Sequence, residues 1–277
     1  MENKLRISKL KDSEYQQILG VRKPTFEAML KILEEEFVRN HKQGGRPPKL
    51  SVLDRLVITL GYYREYRTMA HISFDYGVSK SRISDAVKWV EDTLIKSGTF
   101  SLPSKRELSK PDTEIEIVII DATEQETERP KKKQKQSYSG KHKCHTIKEQ
   151  LIINGFTGHI ICVHQAKGSV HDMELFKQSD IRFNRFILIV GDKGYQGICN
   201  LHENSVTPYK KPKGGELTYE QRAFNSMLSK FRILIEHINR RIKRFKMFQC
   251  RYRNKQLNHH KRISLICGVH NFELPKK

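Results

Sequence analysis

Three short apolar runs constrain what this chain can fold into: EIEIVIID (114–121), TIKEQLIIN (146–154) and HIICVHQA (159–166). Each is eight or nine residues long and rich in Ile or Val. Runs of that length, bounded by turn residues, predict strands. Gly155 and Gly158 bound a tight turn between the second and third. A helix around SVHDMELFKQ follows, then a fourth strand, FILIVGD (186–192). Three strands, a helix and another strand is an α/β order.

The stretch before these runs has a different texture. KPTFEAMLKILEEEF sets Phe26, Met29, Leu30, Leu33 and Phe37 at helical spacing. HKQGGRPPKL (41–50) is basic Gly/Pro punctuation and predicts a loop. Ser51, with Asp54 three residues on, predicts the cap of the next helix. RTMAHISFDYGVSKSRISDAVKWVEDTL then splits into a short helix from about Met69, a turn at Gly77 and a longer helix capped by Ser79. Ile83, Ala86, Val87, Val90 and Leu94 form the buried face of the longer helix. This is helix-turn-helix grammar. It presents Ser79, Lys80, Ser81, Arg82 and Ser84 at the helix start, where base edges and phosphates are contacted. An ordinary helical hairpin would fit the same pattern. A polar segment with two prolines ends this part, giving an all-α domain (1–98), a linker (99–113) and an α/β domain (114–277).

Charge favours the DNA reader over the hairpin. The 277 residues carry 52 Lys/Arg against 31 Asp/Glu, a formal net charge of +21, which calls for a polyanionic partner. A membrane partner is disfavoured: runs such as FILIV are too short to span a bilayer, and MENKLRISKL has no signal-peptide core. The five cysteines form no C-x-x-C pair and read as reduced intracellular thiols, with Cys162 and Cys267 in the core. No G-x-x-x-x-G-K-[ST] loop supports ATP use, and GDKGYQG is not a dinucleotide fingerprint.

Three acids stand out by position. Asp121 closes the first strand and Asp192 the fourth. Glu236 lies on a helix from about Thr218 to Lys246, where Phe224, Leu228, Phe231, Ile235, Ile238, Ile242 and Phe245 repeat at 4-3-4-3-4-3. That repeat fits a dimeric coiled coil, but its three Phe favour packing on a sheet. Each acid alone has a plain explanation as a turn, cap or solvated residue. Together they sit where α/β sheets gather active groups, at the carboxyl ends of strands. Three close carboxylates repel unless a cation lies among them. Oxygen ligands without Cys or His suit Mg²⁺, with Mn²⁺ as a substitute. Two such ions, about 3.5–4 Å apart, clamp the attacking and leaving oxygens of a phosphoryl displacement.

The surroundings are basic. From Arg129 to Lys148 come eight Lys/Arg and no acid. Lys131, Lys132, Lys133, Lys135, Lys141 and Lys143 are candidate contacts to a phosphate backbone. Arg232, Asn239, Arg240 and Lys243 share the face of Glu236. His171 and Asp172 start a helix; Asp172 is a cap there, or with His171 an accessory group near the metals.

Several blocks resemble the DDE transposases of bacterial insertion sequences, specifically the insertion sequence 5 family, akin to Harbinger-type transposases. They are GGRPPKLSVLDRLVITLGYYREYRT, DATEQETERPKKKQKQSYSGKHKCHTIKEQ, AKGSVHDMELFKQS, GDKGYQG, TPYKKPKGGELTYEQRAFN and IEHINRRIKRFKMF, in the family's order over nearly the whole chain. The resemblance implies an RNase H-like catalytic domain, a mixed sheet flanked by helices, behind a helix-turn-helix domain. It assigns the catalytic, metal-holding triad to the acids of DATE, GDKGY and IEHINRR, here Asp121, Asp192 and Glu236. It implies binding to terminal inverted repeats, metal-dependent strand cleavage and transfer into target DNA. It further implies a homo-oligomer, at least a dimer on DNA, in the bacterial cytoplasm and on the nucleoid. A non-catalytic domesticated regulator is the alternative, which the intact triad disfavours. A stand-alone RNase H-like nuclease is a third reading, which the separate helix-turn-helix disfavours.

Overall fold

The computed structural model describes residues 2–41, 48–254 and 257–275; residues 42–47 of the expected HKQGGRPPKL loop lie outside them. In chain order the helices are α1 (Glu2–Ser8), α2 (Asp12–Leu19), α3 (Lys23–Asn40), α4 (Val52–Glu65), α5 (Met69–Tyr76), α6 (Lys80–Lys96), α7 (Asp172–Gln178), α8 (Tyr219–Lys243), α9 (Lys246–Gln249) and α10 (Leu257–Glu273). The strands are β1 (Ile117–Glu126), β2 (Tyr138–Ser139), β3 (Cys144–Asn154), β4 (Ile160–Lys167), β5 (Leu188–Val190) and β6 (Ser205–Val206). Contacts divide the chain into two compact units, one of residues 1–101, 242–250 and 265–277, the other of residues 102–241 and 251–264. Residues 242–250 and 265–277, placed by sequence in the α/β stretch, therefore pack within the helical unit. Among the described residues no helix is long and apolar enough to cross a membrane.

In the helical unit, α4 opens with a reciprocal cap. Asp54 N donates to Ser51 Oγ at 3.0 Å, and Ser51 N donates to Asp54 Oδ2 at 3.0 Å. Thr68 caps α5, and Gly77 ends it in the left-handed region at φ 58°. Ser79 then caps α6, accepting from Arg82 N at 3.4 Å. Ile83, Ala86, Val87, Val90 and Leu94 are all buried, as the periodicity predicts. Gly268 lies mid-helix in α10, where a Cβ would fall 1.7 Å from the carbonyl oxygen of Phe100. Helix propensity alone favours Ala over Gly by about 1 kcal/mol. Overpacking against fixed backbone costs about 1–3 kcal/mol and wins here. Gly268→Ala is therefore expected to lower the melting temperature; a calorimetric scan showing a rise would refute that packing.

The second unit is built on one mixed sheet. β1 pairs antiparallel with β3 and β3 with β4, while β5 adds parallel to the other edge of β1 and β6 parallel to β5. The spatial order β4-β3-β1-β5-β6 is the RNase H-like sheet; short β2 caps the start of β3. On one face, Val118, Ile120, Ile152, Ile189 and Phe176 form the core with Tyr195 and Leu108. Leu108 lies in the expected linker, at 0 % exposure, so that segment is partly core. Cys162 packs against the same cluster, and burial pushes its thiol up to about 12, which makes it structural rather than reactive.

The other sheet face carries a buried polar set. His259 of α10 is fully buried, with Nε2 2.6 Å from Gln125 Oε1 and Nδ1 2.8 Å from Glu149 Oε1. His259 Nδ1 also lies 3.0 Å from Gln165 Nε2, so the ring is held by three polar neighbours. His259→Leu would remove the imidazole that meets Gln125, Gln165 and the buried Glu149 carboxylate. The expected loss is about 1–3 kcal/mol, the cost of leaving buried polar groups without a partner, measurable as a lower urea midpoint; an unchanged midpoint would contradict these contacts.

Candidate active site

Sequence places Asp121 at the end of its strand; the structure places it in the middle of β1, which continues to Glu126. The polar second half stays in the sheet because its groups are satisfied across the ladder. Glu124 sits opposite Lys148 and accepts from Thr146 Oγ1 at 2.7 Å, and Gln125 meets His259. Asp121 is nevertheless an end in the relevant sense. Pairing of β1 with β5 stops at Ile119↔Val190, and the chain turns away at Gly191 and Asp192. The edge of β1 beside Asp121 is thereby opened, at the carboxyl end of β5.

Asp192 follows β5 and caps a one-turn helix, with Oδ1 accepting from Gly194 N at 2.8 Å. A Cβ on Gly194 would fall 2.3 Å from Asp172 Oδ2 and 3.0 Å from Asp192 Oδ1. The glycine thus leaves room between two carboxylates. Asp172 is the first residue of α7; the cap position belongs to His171, which is exposed and makes no side-chain cap bond. The expected capping role of Asp172 is therefore corrected: its carboxylate goes to Lys148, with Nζ at 2.8 Å. Lys148 also lies 3.4 Å from Glu124, and its side chain is only 9 % exposed. It belongs to this buried cluster and not to the exposed basic run in which sequence had counted it.

α8 supplies the third wall. Asn239 Nδ2 donates to Asp121 Oδ2 at 2.9 Å, and Arg232 Nη2 stands 3.7 Å from Asp121 Oδ1. Glu236 is four residues after Arg232 and three before Asn239, so it shares their face and is bracketed by two groups that touch Asp121. Of the stripe, Leu228, Ile235, Ile238 and Ile242 are buried, but Phe231 is 40 % exposed, so the buried face does not extend evenly to the start of the helix.

Burial pushes the Asp121 carboxyl up to about 6; Arg232 opposes the rise, and Asp192, Asp172 and Glu236 add to it. Burial also holds the Tyr195 hydroxyl well above its ordinary value, helped by Asp172, Asp121 and Asp192. Asp121 therefore lies within electrostatic reach of Asp192, Asp172 and Glu236, and among the described residues Lys148 touches Asp172 and Arg232 touches Asp121. Among the described residues no three Asp, Glu, His or Cys side chains stand as a preformed ligand set. The donor set still fits a hard divalent cation: every oxygen is carboxylate, burial with neighbouring like charges penalises the bare Asp121 charge, and Gly194 keeps the gap open.

The basic candidates sit elsewhere on their elements. Ser79, Lys80, Ser81, Arg82 and Ser84 are exposed at the start of α6. Lys131, Lys132, Lys133, Lys135, Lys141 and Lys143 are exposed on the β1–β3 connection, and Arg240 is exposed on α8. Lys243 is half-buried. The sequence reading missed the roles of Lys148 and Gly194. A hairpin register pairing Glu124 with Lys148 could have revealed the lysine; nothing local marks the glycine.

The profile of the family described as DDE superfamily endonuclease matches residues 120–271. The chain belongs to that family. A second profile, helix-turn-helix of DDE superfamily endonuclease, matches residues 48–100, which include α5 and α6. Among curated proteins, the DDE endonuclease chain is 41 % identical over 264 residues to the "Probable transposase for insertion sequence element IS702" of Microchaete diplosiphon, covering 95 % of both. Among solved structures it aligns with a pre-cleavage Mos1 transpososome at 10 % identity and TM-score 0.22, covering 87 % of both chains. It also aligns with the Mos1 mariner paired end complex with Mn at 13 % identity and TM-score 0.21, covering 89 % of this chain and 83 % of that one. Such scores are too low to superpose one backbone on the other.

Proposed function

We propose that this DDE endonuclease is the transposase of an insertion sequence, acting on that element's terminal inverted repeats. The observation that carries the reading is the bracketing of Glu236 by Arg232 and Asn239, both on Asp121, with Asp192 at the end of the neighbouring strand. Asp121, Asp192 and Glu236 are the catalytic carboxylates of this proposal, with Asp172 accessory to them. They would hold Mg²⁺, two ions with Mn²⁺ able to replace them, which when bound supply charge neutralisation at the scissile phosphate and an activated oxygen nucleophile. Asn239 and Arg232 orient Asp121, and Lys148 orients Asp172. Hydrolysis breaks the P–O3′ bond at the element end and frees a 3′-OH. In strand transfer that 3′-OH attacks a target phosphorus and displaces the target's own 3′ oxygen. Both are in-line displacements, so one site serves both.

The functional division we infer keeps residues 1–98 as the reader of DNA, 99–113 as the connection and 114–277 as the catalytic region. Lys80 and Arg82, with Ser79, Ser81 and Ser84, would read the repeats. Arg232 and Arg240 would hold the strand beside the acids, and Lys243 would also contact DNA. Cutting and joining two ends together calls for at least two copies on DNA, in the cytoplasm and on the nucleoid. Labelled end duplex incubated with the purified chain and Mg²⁺ tests the proposal: nicked and joined products support it, and binding without any cleavage would favour a regulator.

The exposed lysines give a separate expectation. Replacing Lys131, Lys132, Lys133 and Lys135 with Gln should weaken binding to all duplexes alike. The slope of log affinity against log salt should flatten by up to about 0.9 per lost phosphate contact. An unchanged slope would mean that this run is only a solvated loop.

A further inference from the structure

A pocket of about 350 Å³ in the helical unit is lined by Lys49, Leu50, Arg55, Arg82, Asp85 and Trp89, together with Pro48 and Ala86. Arg55, from the first turns of α4, is half-buried there. Its guanidinium lies 4.9 Å over the Trp89 ring of α6 and 5.7 Å over the Phe37 ring of α3. Ring faces hold its position but give its N–H groups no acceptor. Among the described residues it makes no ion pair, and Asp85 lines the same pocket without reaching that distance. A planar fork of five donors, half-buried and without a carboxylate partner among the described residues, is arranged for an anion from outside the chain. Burial alone displaces its titration, downward, which agrees with the lack of a partner. Lys49 and Arg82, both exposed at the rim, bring the pocket to three cations against one acid.

We propose that this pocket is a phosphate seat for the backbone of duplex DNA, with Arg55 as its floor and Lys49 and Arg82 as its rim. The proposal rests on the DNA-binding reading above and adds a residue to it from outside α6. Arg82 belongs to the first turn of α6, so a backbone phosphate held in the pocket would set how far that helix start enters the groove. Phosphate contacts fix register in this way while base contacts specify sequence. The stacking on Trp89 keeps the fork in place before DNA arrives, so less side-chain freedom is lost on binding.

Trp89 is the chain's only tryptophan, so its emission reports on this pocket directly. Titrating the full chain with unlabelled duplex should change that emission. Arg55→Gln should lose the change, weaken duplex binding and flatten the salt slope by about 0.9. Lys49→Gln, altered only at the exposed rim, should flatten the slope likewise, and it carries the test if Arg55→Gln does not fold. Variants that keep both the wild-type slope and the wild-type emission change overturn the proposal while leaving DNA binding intact. Inorganic phosphate reproducing the emission change when duplex does not would also overturn it, in favour of a free-anion site. A wild-type chain that binds no duplex at all would instead remove the DNA-binding reading, and this seat with it.

Discussion

Asp121→Asn is expected to silence strand cleavage and, without divalent metal, to make the chain more stable at pH 8. The loss of cleavage should be on the order of 10³-fold or more, the scale seen when one member of a catalytic set is removed. The gain in stability follows from the direction of the shift. The Asp121 carboxyl lies at about 6 in the folded chain, above its ordinary 3.8. A raised value favours folding below the unfolded value, and the contribution is lost as pH rises through about 6. At pH 8 the fold carries a buried charge beside Asp192, Asp172 and Glu236, and Asn removes it while still accepting from Asn239. The expected gain is roughly 1–3 kcal/mol at pH 8 and about a third of that at pH 4.5, just above the unfolded value. Thermal melts of both proteins in chelator at the two pH values check this. A variant less stable than wild type at pH 8 would mean that burial and the neighbouring carboxylates do not penalise the charge on Asp121.

Lys148→Met should be among the most destabilising single changes in the sheet unit. Lys148 is the cation between Glu124 and Asp172, and the Glu124 side chain is only 7 % exposed. Burial raises the Glu124 carboxyl, but hydrogen bonds from Ser139 and Thr146 and the Lys148 charge more than offset that and hold it below its usual range. Removing the lysine leaves two acids facing each other, at a cost of about 3–5 kcal/mol. Cleavage should fall too, because Asp172 loses its anchor beside Gly194. Restoring the partner balance with a second change, Glu124→Gln, should recover part of the stability. If Lys148→Met melts within about 0.5 kcal/mol of wild type, the buried pair contributes nothing and its positioning role fails.

How much of this was legible follows from the range of each signal. Strand texture, the capped α6 and the long α8 were readable because period and caps are local; β3 and β4 fall within two residues of their expected bounds. The extension of β1 past Asp121 was not readable. ATEQE is polar, and its place in the sheet depends on partners at Lys148, Thr146 and His259, up to 134 residues away. The same reason hid Lys148: in sequence it ends a basic run, while in the fold it lies opposite Glu124. Leu108 was hidden by its polar neighbours, because one apolar residue gives no period. The carboxylates were legible as candidates by their places at strand ends and beside a buried stripe. Their convergence required the sheet order, which brings β5 against β1 by a crossover no local pattern specifies.

The measurement closest to the central claim concerns Glu236, the acid placed by its neighbours Arg232 and Asn239 rather than by a contact of its own. Labelled duplex carrying the element's end is incubated with Mg²⁺ and either wild type or Glu236→Ala, and the products are resolved on a denaturing gel. Both proteins should match in circular dichroism and in gel-shift affinity, because Glu236 is exposed and its loss does not weaken attraction to phosphate. Wild type should give nicked product with a free 3′-OH and Glu236→Ala none. A folded, DNA-bound Glu236→Ala protein that cuts at the wild-type rate would contradict the catalytic role of Glu236.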